Sequence, residues 1–214
     1  MSIHPWANRT RLTLHHSIAS YFPPARGRLD NIKELQSTSL ETTVVVNGFF
    51  LDYFVAPKVP SYQPPFAMVL DIANNTAAIP GSGDVPVVFT HTFDIARFVP
   101  ALLSKPKWDK TSYIIGDNVT WNEFLALAEE AKGVKFTVVH DSVETLKTGA
   151  ITELPSHPSM YATFPKPMLQ GMFAAFGVMF EDGAFDLSPA STLNDEFPEI
   201  KARKVKELVF EAWK

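Results

Sequence analysis

The clearest pattern along the chain is the run Thr42–Phe54. Two threonines and three consecutive valines predict a strand over Thr42–Asn47, apolar enough to be buried on both faces as in a parallel sheet. Asn47-Gly48 breaks it, because glycine adopts backbone angles that other residues avoid. Phe49, Phe50, Tyr53 and Phe54 follow at spacings that suit a helical turn or the wall of a pocket. Upstream, Leu29, Ile32 and Leu35 recur at helical spacing over Arg28–Thr38. Downstream, Ala67–Ile72 reads as a strand with a turn at Asn74-Asn75. Thr76–Ile79 and Val85–Thr90 read as a hairpin around Pro80-Gly81-Ser82-Gly83-Asp84. Asp94 is placed to cap a helix carrying Ile95, Phe98, Val99 and Leu102, bent or shortened by Pro100. Ser112–Ile115 predicts a strand ending at Gly116-Asp117. Thr120 and Glu123 have capping-box spacing, and their helix stops at Gly133. Lys135–His140 reads as a strand and Asp141–Glu144 as the start of a short helix. Past Pro155, Met160, Phe164, Met168, Met172, Phe173, Phe176, Met179 and Phe180 crowd one apolar helix. The tail is amphipathic through Val205, Leu208, Val209 and Trp213.

Composition narrows the class of protein. Its 214 residues and 46% hydrophobic content suffice for one full core. The net charge of −4, without long runs of one sign, recommends neither nucleic acid nor a membrane surface as partner. The absence of cysteine excludes disulfides and thiolate chemistry. The start, Met1-Ser-Ile-His-Pro-Trp, lacks the apolar segment of a signal peptide, and no apolar run approaches a membrane span, so a soluble cytoplasmic protein is expected. Residues 1–25 read as an N-terminal arm, with brief alternation at Leu12 and Leu14, and 26–214 as a single domain.

Candidate chemistry is sparse. A dinucleotide fingerprint needs three close glycines between a first strand and a helix, and no glycine precedes Gly27. The Gly81-Ser82-Gly83 stretch leads into a strand, which marks a turn and not a phosphate loop. There is no P-loop or nucleophile elbow, and the six histidines are too scattered to suggest a metal site. His91, at the end of a predicted strand, could move a proton near neutral pH, or be an ordinary loop histidine. Arg28 could hold a carboxylate or enolate oxygen, or face solvent. Tyr53 could donate a proton, or pack. Asn47, Gly48, Phe49, Phe50, Phe54, Met172 and Phe176 are the candidate walls of an apolar pocket.

Taken in order, Thr43–Phe54, Ile79–Asp84, Val88–Val99 and Tyr113–Phe124 resemble the NmrA-like family, the fungal branch beside the isoflavone reductase-like atypical short-chain dehydrogenases. The likeness covers about residues 26–214. It implies an α/β fold, a truncated Rossmann type with a few-stranded, partly parallel sheet and a helical C-terminal substrate domain. Families of this kind bind NAD(P)H, but the Gly-rich loop that would hold it is not in this chain, so no cofactor is expected. The family's reductases use a lysine in the helix before the central strand. That place falls at Arg28, which cannot exchange a proton near neutral pH.

With the earlier strands absent, Thr42–Asn47 would present an apolar edge. Either residues 9–18 cover it, or a homodimer or another partner pairs there. Three functions follow: a nucleotide-independent lyase, isomerase or cyclase acting on an apolar metabolite; a metabolite-sensing or regulatory pseudoenzyme; or the C-terminal part of an NAD(P)H-dependent reductase.

Overall fold

The structure, a computed structural model, describes residues 24–214. Residues 9–18, one candidate cover for the sheet edge, lie outside the described residues, as does most of the 1–25 arm. Among the described residues, eight short strands fall into three hydrogen-bonded groups, with helices packed around them.

The central run behaves differently from its expected form. Val44–Val46 (β1) is half-exposed instead of buried on both faces, and its one strand neighbour among the described residues is Thr111–Tyr113 (β6), in parallel. Phe49–Phe50 is a second strand (β2) and not a helical turn; it pairs in parallel with Val87–Thr90 (β5). The chain therefore changes partners at Asn47-Gly48. Gly48 has φ +74°, and a Cβ there would lie 2.1 Å from the Val88 carbonyl oxygen. Only glycine permits that approach.

The neighbouring strand β6 ends at the same level. After β6, Gly116 lets the backbone reverse into Asp117–Val119 (β7), a strand the pattern did not announce, which runs antiparallel to β5. The buried Thr90 hydroxyl joins the two breaks. It donates to the Asn47 carbonyl at 2.7 Å and accepts the Gly116 N–H at 3.1 Å.

The expected hairpin does not form. Its turn is present, with Gly81 and Gly83 at positive φ, but Thr76–Pro80 (β4) pairs in parallel with Thr137–Asp141 (β8) and antiparallel with Leu70–Asp71 (β3). A turn signal fixes where the chain bends and leaves open which strands then meet. The Asn74-Asn75 turn holds, with Asn75 at φ +52°.

Helices follow the pattern more closely. Thr120 and Glu123 form the reciprocal capping box of helix Trp121–Lys132, and Gly133 ends it in the left-handed conformation. The Met/Phe-rich segment splits, giving a short helix at His157–Met160 and a long one at Lys166–Glu181 that starts after Pro165. The terminal helix Val205–Trp213 seals the core beside Trp121–Lys132. Pro24–Gln36 carries little buried surface; Leu35 is exposed.

The main core is aromatic. Phe49, Phe54, Phe89, Trp121, Phe124 and Phe180 are each at most 5% exposed. Their contacts are mostly edge-to-face, such as Phe89–Trp121 with centroids 5.1 Å apart. Such pairs add about 0.5–1.5 kcal/mol each beyond the area they bury.

His157 is a structural residue of this layer. Its Nδ1 accepts the Leu154 N–H, and its Nε2 faces the Ala67 carbonyl at 2.8 Å. Burial lowers its pKa. As pH falls, the unfolded chain takes up this proton first, so the stability contribution is full above about pH 6.5 and shrinks below it. His157→Gln should give a lower but flatter stability profile in urea titrations between about pH 7 and 5; an unchanged slope would contradict this role.

The Gly48 contact makes a second prediction. Gly48→Ala should cost about 2 kcal/mol or more, through the clash and the positive φ. Gly171→Ala, in the Lys166–Glu181 helix with nothing within 4 Å, should be neutral or gain up to about 1 kcal/mol. Urea midpoints of the two variants decide it.

Candidate functional site

Strands β2 and β5 run side by side in the same direction, so their carboxyl ends lie together. Open α/β sheets bind ligands at such ends. The chain leaves β2 through Leu51 into helix Asp52–Val55, and leaves β5 through His91 into helix Thr92–Leu103. Asp52 and His91 meet at this place, and both are almost fully buried.

Asp52 is the centre of the arrangement. Its carboxylate accepts the Thr92 N–H at 2.9 Å and the hydroxyls of Thr92 and Ser61 at 2.5 Å each. His91 Nε2 lies 3.5 Å from Asp52 Oδ1. The other ring nitrogen, Nδ1, accepts the Phe93 N–H at 3.2 Å and caps the helix. That bond leaves the neutral ring's proton on Nε2, toward Asp52. Together the two side chains satisfy two of the helix's four unpaired N–H groups. The residue expected as the cap, Asp94, sits one turn further on, and His91 takes the cap instead.

Of the three residues nominated for chemistry, two gather here. Tyr53 follows Asp52, and its hydroxyl pKa is raised by burial and by the Asp52 charge, so it keeps its proton at neutral pH. His91 is present; its Nδ1 accepts the Phe93 N–H, while its Nε2 is buried 3.5 Å from Asp52 Oδ1 without a hydrogen bond. Arg28 is exposed on helix Pro24–Gln36 and makes none of the cluster's hydrogen bonds.

The nominated pocket walls take other parts. Asn47 and Gly48 form the strand junction. Phe49 and Phe54 are sealed in the core, and Phe49 packs edge-to-face on Phe176, with centroids 5.8 Å apart. Phe50 and Met172 are partly buried. None of the nominated wall residues lines either described space.

Asp52 escaped the sequence reading, although it is the single charge between Glu41 and Lys58. A carboxylate in so apolar a run needs several donors, and that was the available signal.

Open space lies beside the cluster. A groove of about 650 Å³ is lined by Val59, Pro60, His91, Phe93, Arg97 and Arg203, among others. A second space, of about 10 Å³ near Met68 and Asp141, is of the size of one water molecule.

A nicotinamide dinucleotide, which families of this kind bind, does not fit the described residues. The one glycine pair at a tight turn, Gly81 and Gly83, is already engaged: the Glu181 carboxylate accepts the Gly83 N–H at 3.3 Å and the Ser82 hydroxyl at 3.2 Å. A negative group thus occupies the amides that would face a phosphate, and a strand follows the turn in place of a helix. The described residues also hold no group of three metal-ligating side chains.

The hydrogen bonds at Asp52 predict a graded loss of stability. Asp52→Ala strands three half-buried donors and should cost about 2 kcal/mol or more. His91→Ala removes a helix cap and should cost about 1 kcal/mol. Urea denaturation of both variants tests this; a loss under about 0.5 kcal/mol for Asp52→Ala would contradict it.

No protein-family profile matches the chain. It is 40% identical over 172 residues to Oxidoreductase BOA1 of Botryotinia fuckeliana, covering 79% of this chain and 53% of that protein. It is 31% identical over 182 residues to Oxidoreductase swnN of Metarhizium robertsii, covering 81% and 52%. The chain thus spans about half the length of these relatives. Among solved structures, the ternary complex of leucoanthocyanidin reductase from Vitis vinifera shares the fold with a TM-score of 0.65 at 17% identity, over 89% of this chain and 61% of that one. The structure of AtPrR2 with NADP+ and (+)pinoresinol does so with a TM-score of 0.60 at 17% identity, over 86% and 55%. The relatives in sequence and the neighbours in fold agree with the NmrA-like, isoflavone reductase-like resemblance read from the sequence.

Proposed function

We propose that this chain holds a small organic molecule in the groove at the carboxyl ends of β2 and β5, as the ligand-binding portion of an oxidoreductase-family fold. The carrying observation is the meeting of Asp52 and His91 at two adjacent parallel strand ends, beside the one large groove among the described cavities. The fold relationship supports it, since AtPrR2 is described with both NADP+ and the small molecule (+)pinoresinol.

In this reading the buried side chains set geometry. Asp52 and His91 hold the first turn of helix Thr92–Leu103, and Ser61 ties the Pro-rich segment before Phe66 to the same carboxylate. Those bonds fix the backbone beside Pro60 and Phe93, two of the groove's lining residues, before a ligand arrives. Preorganisation of this kind lowers the entropic cost of binding.

The enzymatic form of the reading is a lyase, isomerase or cyclase that needs no dinucleotide. Tyr53, a half-buried phenol that keeps its proton beside a carboxylate, is not among the groove's lining residues and gives it no direct support. His91 lines the groove, but its Nδ1 lone pair is held by the Phe93 N–H, which leaves only the unpartnered Nε2 near Asp52 for proton transfer. Binding therefore leads, and proton transfer comes second.

The test is chemical-shift mapping on the full chain with a library of small neutral and charged aromatic compounds, together with calorimetric titration of NADPH. Perturbations should cluster at His91, Phe93, Arg97 and Arg203, and NADPH should bind no tighter than about 1 mM. Perturbations confined to Phe49, Tyr53 and Met172, or an NADPH Kd near 1 µM, on the order of 8 kcal/mol of binding, would overturn the reading.

A further inference from the structure

The groove's chemistry differs from the apolar pocket that the aromatic run suggested. Arg97, Lys201 and Arg203 line it, against the carboxylates of Asp94 and Glu211. These carboxylates are not equivalent. Asp94 is 1% exposed, so its charge is spent inside the protein. It pairs with the Arg97 guanidinium and accepts the Arg203 backbone N–H at 2.8 Å.

Asp94 therefore acts as an anchor for both basic residues. Arg97 Nη2 also donates to the Lys201 carbonyl at 2.7 Å, which ties helix Thr92–Leu103 to the segment before helix Val205–Trp213. The guanidinium of Arg97 has five N–H donors, and those on Nη1 and Nε make none of these bonds. Its side chain is 48% exposed. Arg203 is partly exposed and pairs with Glu211. Arg97 and Arg203 are thus each paired with a carboxylate, and Lys201 leaves the groove's lining with one positive charge in excess.

Apolar surface adjoins these cations. Phe93 is exposed at the groove and packs on the exposed ring of Tyr62, with centroids 5.7 Å apart. Its other neighbour is the His91 ring, at 5.4 Å. Val59 and Pro60 supply further apolar lining. Planar guanidinium groups recognise oxyanions through paired hydrogen bonds, and an exposed ring offers a face for stacking.

We propose that the groove takes a flat aromatic compound carrying an oxyanion, its ring against Phe93 and Pro60 and its carboxylate or phosphate held by Arg97, Lys201 and Arg203. The proposal rests on the groove being the ligand site. It adds the class of ligand, and it differs from the apolar metabolite that the sequence suggested.

The test uses three probes on the full chain: cinnamate, phenyl phosphate and the neutral cinnamamide, followed by amide chemical shifts and calorimetry. At least one anionic probe should shift the Phe93, Arg97 and Arg203 signals and bind at least tenfold tighter than cinnamamide. The stronger anionic probe identifies the oxyanion as carboxylate or phosphate. Arg203→Gln and Lys201→Gln each alter an exposed side chain and should weaken that probe about tenfold. Glu211→Gln removes the competing carboxylate and should tighten it, with cinnamamide unaffected. A thermal melt of each variant confirms that it is folded. Equal binding of cinnamamide and cinnamate at the groove would overturn the oxyanion assignment while leaving the groove as the site. If none of the three probes shifts groove signals, both the assignment and the site reading fail.

Discussion

The architecture depends on the contact of Gly48 with the Val88 carbonyl. A side chain there would sit 2.1 Å from the Val88 oxygen, so glycine alone lets β2 lie beside β5 after β1 has paired with β6. The Thr90 hydroxyl then locks this change of partner by bonding to both the Asn47 carbonyl and the Gly116 amide. Everything at the candidate site follows from that registration. It sets Phe50 opposite Thr90, and so brings the next residues of each strand, Leu51-Asp52 and His91-Thr92, to one point.

At that point the main-chain problem and the functional opportunity coincide. A helix begins beneath the sheet, with N–H groups that lack internal partners. Asp52 and His91 satisfy them from buried positions, and the favourable field of the helix start helps hold the Asp52 charge. One turn along, Asp94 repeats the device, drawing Arg97 and the Arg203 backbone toward the same helix. Buried carboxylates thus organise the surface cations of the groove without facing the ligand themselves.

Much of this was legible in the sequence, and the illegible part has a common cause. The capping box at Thr120 and Glu123, the stop at Gly133 and the turn at Gly81–Asp84 are local signals, and each formed where the spacing placed it. The break at Asn47-Gly48 was visible, and so was the family resemblance. The strand partners were not: nothing local says that β4 should choose β8 over β5, or that the Tyr113–Asp117 stretch should turn back. The aromatic run was read as pocket wall, but hydrophobicity does not distinguish a ring that lines a space from one that fills it. Phe49 and Phe54 fill it. Asp94 had the right residue type for a cap, yet a histidine three positions earlier took the role because the strand end delivered it there. Lys201 and Arg203 lie about a hundred residues from Arg97, and only the tertiary fold makes them neighbours.

The likeness to the solved reductases concerns the fold. The described residues offer no cradle for a pyrophosphate, since Glu181 holds the one tight glycine turn. The central claim is therefore that the strand ends of β2 and β5 open onto a groove that receives the ligand, while the aromatic cluster stays closed. A crystal structure of the full chain soaked with cinnamate tests this most directly. The account predicts electron density for the ring beside Phe93, with its carboxylate at the Arg97 and Arg203 guanidinium groups. Density among Phe49, Tyr53 and Phe176, with those rings displaced to admit it, would contradict the claim.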